Sequence, residues 1–289
     1  MPTKTPRVSV LTPIYNTKPE YLRECIESIL NQTFTDFEFL ILNDSPDNTE
    51  IEKIVLEYAK HDKRIKYSKN EKNMGITPSR NKLLKMARGE YLAIFDHDDI
   101  SVSTRLEQEV AFLDKNPYIG VVSGLLQFFG IENRVHHAPA NDPDIKMHLT
   151  ENCYVAHTAA MIRKSVLVDN NIEYEEKYSP AEDYRLWTRL LDVTNFYNFQ
   201  EPLVKYRWNG DNTTVAQQDK MRQAWFNIHV QVCEKHPYLR KLFEKNSNIT
   251  EGLPTKIRIR LFGFVPLFKV KNHKVYLFEI IPILKFKHQ

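Results

Sequence analysis

Tyr91-Leu92-Ala93-Ile94-Phe95-Asp96-His97-Asp98-Asp99 runs from five apolar residues directly into an acidic turn. A short apolar run bounded by turn residues reads as a buried strand. The chain on either side repeats that theme. Upstream, Val8–Ile14 is apolar and β-branched. Tyr21, Leu22, Cys25, Ile26, Ile29 and Leu30 then recur at helical spacing behind Thr17 and Pro19, which mark a helix start. Phe37–Leu42 makes a second strand ending at Asn43-Asp44, followed by a helical stripe of Ile51, Ile54, Val55 and Tyr58. Ile65–Tyr67 is a third strand and Pro78–Met86 a third helix; downstream of the acidic turn, Thr104–Leu113 returns to helix. Strands alternating with helices of roughly 10 to 15 residues predict βαβ units, hence an α/β fold with a mostly parallel central sheet flanked by helices. In such sheets ligands sit beyond the carboxyl ends of the strands, so Thr12–Asn16, Asn43-Asp44 and Asp96–Asp99 are expected to converge on one crevice.

After Val121-Val122 the winding is less regular. Glu132–Pro143 is polar and proline-bearing and reads as an insertion over the site, Thr158–Val166 as extended, Ala181–Leu191 as helix and Phe196–Trp208 as extended again. Helices are expected between residues 216 and 245. The last segment contains an internal repeat: Leu261–Lys271 and Leu277–Lys287 match position by position at an offset of 16, Pro266 falling on Pro282 and one Lys-x-Lys end on the other. Each copy places apolar and aromatic residues before its basic end, which suits either a two-stranded covering hairpin or a segment lying in a lipid headgroup layer.

At 289 residues and 42% hydrophobic content, the chain has room for one sizeable α/β domain plus an appendage. Its formal charge of +3 hides an asymmetry, because residues 256–289 carry eight Lys or Arg against the single Glu279. That stretch alone is +7, which leaves the preceding 255 residues at −4. Cys25, Cys153 and Cys233 are far apart and lack CxxC spacing, so neither a disulfide framework nor a zinc site is indicated, and a reducing cytosol is the natural setting. No run of about 18 apolar residues occurs, so a membrane is expected to be touched and not crossed. The organisation predicted is an α/β domain over 1–215 in two halves, one to about 123 and one beyond it, then a helical extension over 216–255 and the basic aromatic tail.

Asp96, Asp98 and Asp99 on a tight turn suit a hard divalent cation that itself bridges phosphates, although a lone Asp-x-Asp is most often a solvated turn. Glu182-Asp183 opens a helix, where acidic side chains complement the dipole; the functional reading is that one of them takes a proton from an attacking hydroxyl. Asn73-Met74-Gly75 followed by Arg80 offers a turn glycine, a helix N-terminus and an arginine within reach of a phosphate or a carboxylate. Neither a GxxxxGK loop nor GxGxxG is present. His157 reads equally well as a satisfied structural histidine and as a site residue.

Taken in order, these pieces resemble glycosyltransferase family 2, inverting enzymes of the GT-A fold, and bacterial surface-glycan enzymes among them. Val8–Asn16 is similar to the family's first strand and nucleotide loop, Tyr21–Thr33 to its first helix and Phe39–Ser45 to its second strand. Asn73-x-Gly75 with Arg80-Asn81, and Gly89 through Asp99, are similar to the segment leading to the metal motif, while His157–Ser165 and Ala181–Trp187 resemble the acceptor side. The resemblance covers about residues 8–208 and implies that 1–215 is the catalytic domain, with a nucleotide half to about 123 and an acceptor half beyond it. It implies that Pro13, Tyr15 and Asp44 hold the nucleoside base of a UDP-sugar, Asp96 the ribose, Asp98 a Mn²⁺ or Mg²⁺ ion on the diphosphate, and that Asp183 is the catalytic base. Asn73, Gly75 and Arg80 belong to the donor side, and Asp99, His157, Glu182 and Asn209 to the acceptor or supporting shell. Asn209 stands where many relatives carry a His, which would leave the metal one nitrogen ligand fewer.

The expected acceptor is a lipid-linked glycan, a lipooligosaccharide core or a capsular precursor. The tail is expected to hold the protein peripherally on the anionic inner face of the cell membrane. Oligomeric state is not legible. Two other classes compete. A sugar-nucleotide pyrophosphorylase needs a glycine-rich phosphate loop, and Thr12–Lys18 contains no glycine. A non-enzymatic lipid- or nucleic-acid-binding protein would rest on the basic tail, but the net-acidic remainder disfavours a nucleic-acid partner.

Overall fold

The structure, a computed structural model, describes residues 5–210 and 217–247 and the backbone of four tail strands; side chains are described through residue 246. β1 (Val8–Ile14) and β2 (Phe37–Asn43) are buried at every position, which is why they read as continuous apolar runs rather than as alternating ones. Between them α1 (Pro19–Leu30) buries Leu22, Cys25, Ile26 and Ile29. It starts on Pro19, whose missing N–H would have no partner in a first turn. Thr17 does not cap this helix: the N-cap is Lys18, with no side-chain bond, and the Thr17 hydroxyl pairs instead with His97 Nδ1 at 3.0 Å.

Asn48 caps α2 (Thr49–His61) by accepting from the Ile51 N–H, and β3 (Ile65–Lys69) follows. α3 (Ile76–Met86) begins two residues before Pro78, because Gly75 at φ 89° turns the chain into it. β4 (Tyr91–Ile94) completes a parallel block in the order β3-β2-β1-β4. Side chains alternate across it. Leu11, Leu40, Leu42 and Ile94 enter one core with Leu83 of α3, while Val10, Ile14, Phe39 and Ile41 enter the other with α1 and α2. Gly89 lets β4 lie this close to β1, since a Cβ there would sit 2.5 Å from the Ser9 backbone nitrogen.

Beyond β4 the sheet is mixed. β8 (Met161–Arg163) runs antiparallel to β4 and to β6 (Ile119–Gly130), β9 (Asn195–Trp208) runs parallel to β6, and the short β5 (Ile100–Ser101) is antiparallel to β9. α4 (Arg105–Lys115) carries a fully buried ion pair, Arg105–Glu109, whose guanidinium also donates to the Ile94 and Ala160 carbonyls and so ties α4 to β4 and the approach to β8.

A further expectation changes. The 158–166 stretch is not one strand but a 3₁₀ turn at His157–Ala159, then β8, then α6 (Lys164–Asp169). The polar 132–143 insertion pairs as β7 (Arg134–Val135) against β6 and enters α5 (Asp142–His148). α7 (Glu182–Leu190) is followed by β9 and two further helices, α8 (Gln218–Lys235) and α9 (Pro237–Ser247).

The tail strands β10 (Arg258–Leu261), β11 (Val265–Lys271), β12 (Lys274–Leu277) and β13 (Ile281–Lys285) form an antiparallel meander. Arg258 pairs with Lys269 and Lys274 with Lys285; Arg260 pairs with Pro266 and Tyr276 with Pro282. The sequence repeat is therefore a repeated hairpin with the same register irregularity, making four strands rather than two. The membrane-surface reading concerns side chains outside the described residues. No described helix is long and apolar enough to cross a membrane.

Candidate active site

The carboxyl ends of β1, β2 and β4 open into one cleft of about 750 Å³. Pro13, Tyr15, Asp44, Asn73, Gly75, Arg80, Asp96, Asp98, His157, Glu182, Asp183 and Asn209 all line it. Asp99 alone of the expected residues does not. Residues from the ends of β1, β2, β4 and β9, the starts of α3 and α7 and the 3₁₀ turn at His157, spread over nearly 200 positions of sequence, thus share one space.

At one end of the cleft Tyr15 is about half exposed, leaving its ring accessible. Asp44 is buried and already engaged: its carboxylate accepts from Asn70 Nδ2 at 2.7 Å and from the Met74 and Gly75 amides at 2.8 Å each. These bonds hold the 70–75 loop against β2, with the Asn73 side chain accepting from the same Gly75 amide.

The acidic turn after β4 is clamped from beneath. Asp99 is fully buried and accepts from the Thr158 hydroxyl and the Arg207 amide at 2.9 Å each, so it braces the turn rather than facing the cleft. The Arg207 guanidinium donates to the Asp98 carbonyl and pairs with Glu24. Burial, with Asp98 and Asp96 adding negative charge, raises the Asp99 pKa well above the usual carboxylate range. Asp98 is raised too, by burial first, with His97 opposing and Asp96 adding to the shift. Asp98 thus lines the cleft as a desolvated carboxyl beside Asp96, in no salt bridge among the described residues.

Across the cleft, Arg80 bridges two anions. It pairs with Glu182 and, at 3.2 Å, with Asp96 Oδ1, and its guanidinium lies 5.7 Å from the centre of the Tyr174 ring. Burial works against its charge, but Glu182 and Asp96 outweigh that and raise its pKa. Asp183 accepts from the adjacent Tyr184 amide at 2.6 Å and faces the cleft. Burial and then the neighbouring Glu182 raise its pKa to about 7, with Arg80 opposing. A carboxylate near that value is both available as a base and basic enough to take a proton near neutral pH. His157 is buried, pairs through Nε2 with the Tyr174 hydroxyl at 2.9 Å, and is held neutral by burial and by the nearby Arg80 and Arg105.

Several cleft residues escaped the sequence reading. Thr17, Phe128, His136, Tyr206, Trp208 and Met221 line its walls. Phe128, Tyr206 and Trp208 lie on the adjacent strands β6 and β9 with ring centroids 5.0 to 6.4 Å apart. The register Phe128↔Tyr206 that brings them together is a non-local pairing with no local signal. The one visible hint was the aromatic density of Tyr206-Arg207-Trp208 itself.

Residues 9–169 match the family model described as Glycosyl transferase family 2. An uncharacterized glycosyltransferase of Methanocaldococcus jannaschii is 37% identical over 215 residues, covering 72% of this chain and 73% of that protein. Among solved structures, Staphylococcus aureus TarS 1-349 in complex with UDP-GlcNAc aligns with a TM-score of 0.65 at 19% identity, over 78% of this chain and 66% of that one. The mannosyltransferase PcManGT from Pyrobaculum calidifontis, in complex with GDP-Man and Mn²⁺, aligns at 0.62 and 16% identity, over 87% and 72%. The structural likenesses establish a shared GT-A fold, and the family match with the relative's identity settles membership: the chain belongs to glycosyl transferase family 2.

Proposed function

We propose that this glycosyltransferase moves a hexose or N-acetylhexosamine from a UDP-sugar to a hydroxyl of a lipid-linked or surface-glycan acceptor, with inversion and with a divalent cation. The observation that carries this reading is that Asp183, a carboxyl poised near neutrality, opens onto the same cleft as Asp98 and the Pro13-Tyr15-Asp44 wall. In the reaction the acceptor oxygen forms a bond to the anomeric carbon as the carbon–oxygen bond to the diphosphate breaks. The hydroxyl proton passes to Asp183 and the electron pair leaves with the diphosphate. One displacement inverts the centre, so no covalent sugar intermediate is needed.

Asp98 fits a cation ligand because it is a carboxylate in an acidic, partly desolvated turn without a salt-bridge partner among the described residues. The ion would supply positive charge against the departing diphosphate, in the way metals assist phosphate leaving groups generally. Tyr15 offers a ring face to the base, Asp96 an oxygen to the ribose, and Arg80 fixes the orientation of Asp96. The UDP-GlcNAc in the TarS structure supports a uridine donor, and the Mn²⁺ in the mannosyltransferase supports a metal. The tail of residues 256–289, by its charge, fits an anionic membrane surface on the cytoplasmic side.

The deciding experiment incubates the purified chain with a panel of UDP- and GDP-sugars, with Mn²⁺ or Mg²⁺, and measures nucleotide release with and without glycan acceptors. Release from a UDP-sugar that needs the metal supports the reading. Turnover confined to GDP-sugars, or metal-independent turnover, overturns the donor or the metal assignment respectively.

A further inference from the structure

Away from the cleft, α8 and the turn after α5 bring together three donor atoms of a kind that the transferase chemistry does not use. His229 and Cys233, four residues apart, share one face of α8, and Glu151 meets them from the body of the protein. Their ligand atoms all lie within 4.8 Å of one another, and Cys233 Sγ is 3.8 Å from His229 Nδ1 and 3.9 Å from Nε2. In a tetrahedral zinc site, metal–ligand bonds of 2.0–2.3 Å put such atoms about 3.5 Å apart, so the Cys233 side chain has to turn from beside the ring toward the Nε2 lone pair for both to hold one ion. The imidazole is oriented from both sides: its Nδ1 bonds to the Thr150 carbonyl at 2.8 Å, and Trp225 stacks on the ring at 4.7 Å and 10°. A ring whose Nδ1 donates to a carbonyl presents Nε2 as the lone pair, which is the outer-shell arrangement that metal-binding histidines use.

We infer that Glu151, His229 and Cys233 form a binding site for a borderline-soft divalent cation, with Zn²⁺ as its natural class, separate from the sugar-transfer centre. Thiolate plus imidazole plus carboxylate selects zinc over magnesium or calcium, and a water completes four-coordination. On binding, the Cys233 S–H proton is released to solvent and the sulfur forms the metal bond. Arg240 is the competitor. Its guanidinium pairs with Glu151, but its Nε also donates to Glu244 at 2.8 Å, so it has a second anion to hold when the cation takes the carboxylate. The site would pin α8, whose first turn carries Met221 into the cleft wall two helical turns earlier, to the body through Glu151.

The test titrates the chelator-stripped full chain with Co²⁺ and follows the near-ultraviolet thiolate-to-cobalt charge-transfer band, then displaces it with Zn²⁺. We expect one equivalent to produce the band, Cys233→Ser to abolish it, and His229→Gln to weaken binding by more than about tenfold. Asp98→Asn should leave the band unchanged, which separates this site from the cleft. Arg240→Ala, by removing a competing positive charge, should tighten binding by about tenfold. Far-UV circular dichroism checks that each variant is folded. Absence of the band in the folded wild-type chain, its persistence in Cys233→Ser, or weaker binding in Arg240→Ala would each overturn the assignment.

Discussion

Replacing Asp183 by Asn removes a charge and a basic oxygen while leaving the side chain the same size and still able to accept from the Tyr184 amide. If Asp183 takes the acceptor proton, the loss in kcat is expected at about 10²- to 10⁴-fold, the range for removal of a general base, or about 3 to 5 kcal/mol of barrier. With a pKa of about 7, the wild-type base is only about one-tenth ionised at pH 6 and about nine-tenths at pH 8, so kcat/KM should rise nearly tenfold across that interval. The same substitution should affect stability with the opposite sign. Because the folded-state pKa of Asp183 is raised above its ordinary value of 3.8, the carboxyl favours folding most in acid, and that advantage is lost as pH rises towards 7. The Asn variant carries no such penalty, so it should melt higher than wild type at pH 8, with the difference shrinking as pH falls below 6. Initial rates of nucleotide release over pH 5.5 to 8.5 (roughly the span needed to bracket the titration), paired with thermal melts at both ends, provide the assay. An Asn variant within tenfold of wild-type kcat, or one that keeps the same rise with pH, would refute the base assignment.

Asp98→Asn should raise the Mn²⁺ concentration needed for half-maximal activity by more than about tenfold, measured by metal titration at saturating donor. Tyr15→Ala, at a half-exposed ring, should raise the donor KM by roughly 2- to 10-fold with little change in melting temperature, as expected for one lost stacking contact. Gly89→Ala would place a methyl 2.5 Å from the Ser9 backbone, and a destabilisation of about 1–3 kcal/mol in urea unfolding is expected. Deleting residues 256–289 should abolish salt-sensitive sedimentation with vesicles containing an anionic lipid while sparing transfer to a soluble acceptor; unchanged sedimentation would count against the tail as the membrane contact.

Much of this site was legible in the chain because the chemistry sits at the ends of continuous apolar runs. Val8–Ile14, Phe37–Asn43 and Tyr91–Ile94 are buried on both faces, so each announces itself as a strand, and the polar residues following each one fall at its carboxyl end by necessity. What surrounds those ends was not legible. Thr17 looked like a cap and is instead the partner of His97, because Pro19 starts the helix without side-chain help. Asp99, which the sequence left between an acceptor and a supporting position, is buried under Thr158 and Arg207 and braces the turn.

Local pattern in the sequence thus determined the α/β winding, the parallel first half and the strand ends that bear Pro13, Tyr15, Asp44, Asp96 and Asp98. Only the tertiary structure decided that β8 inserts antiparallel between β4 and β6, that Arg80 reaches Glu182 across 102 residues, and that Phe128 and Trp208 share a cleft with Asp183. Periodicity reports which face of an element is buried, and that is a property of neighbouring residues. Which distant element covers that face, and which charge a buried Arg80 or Asp183 finds there, depends on packing between segments that no short stretch of chain records.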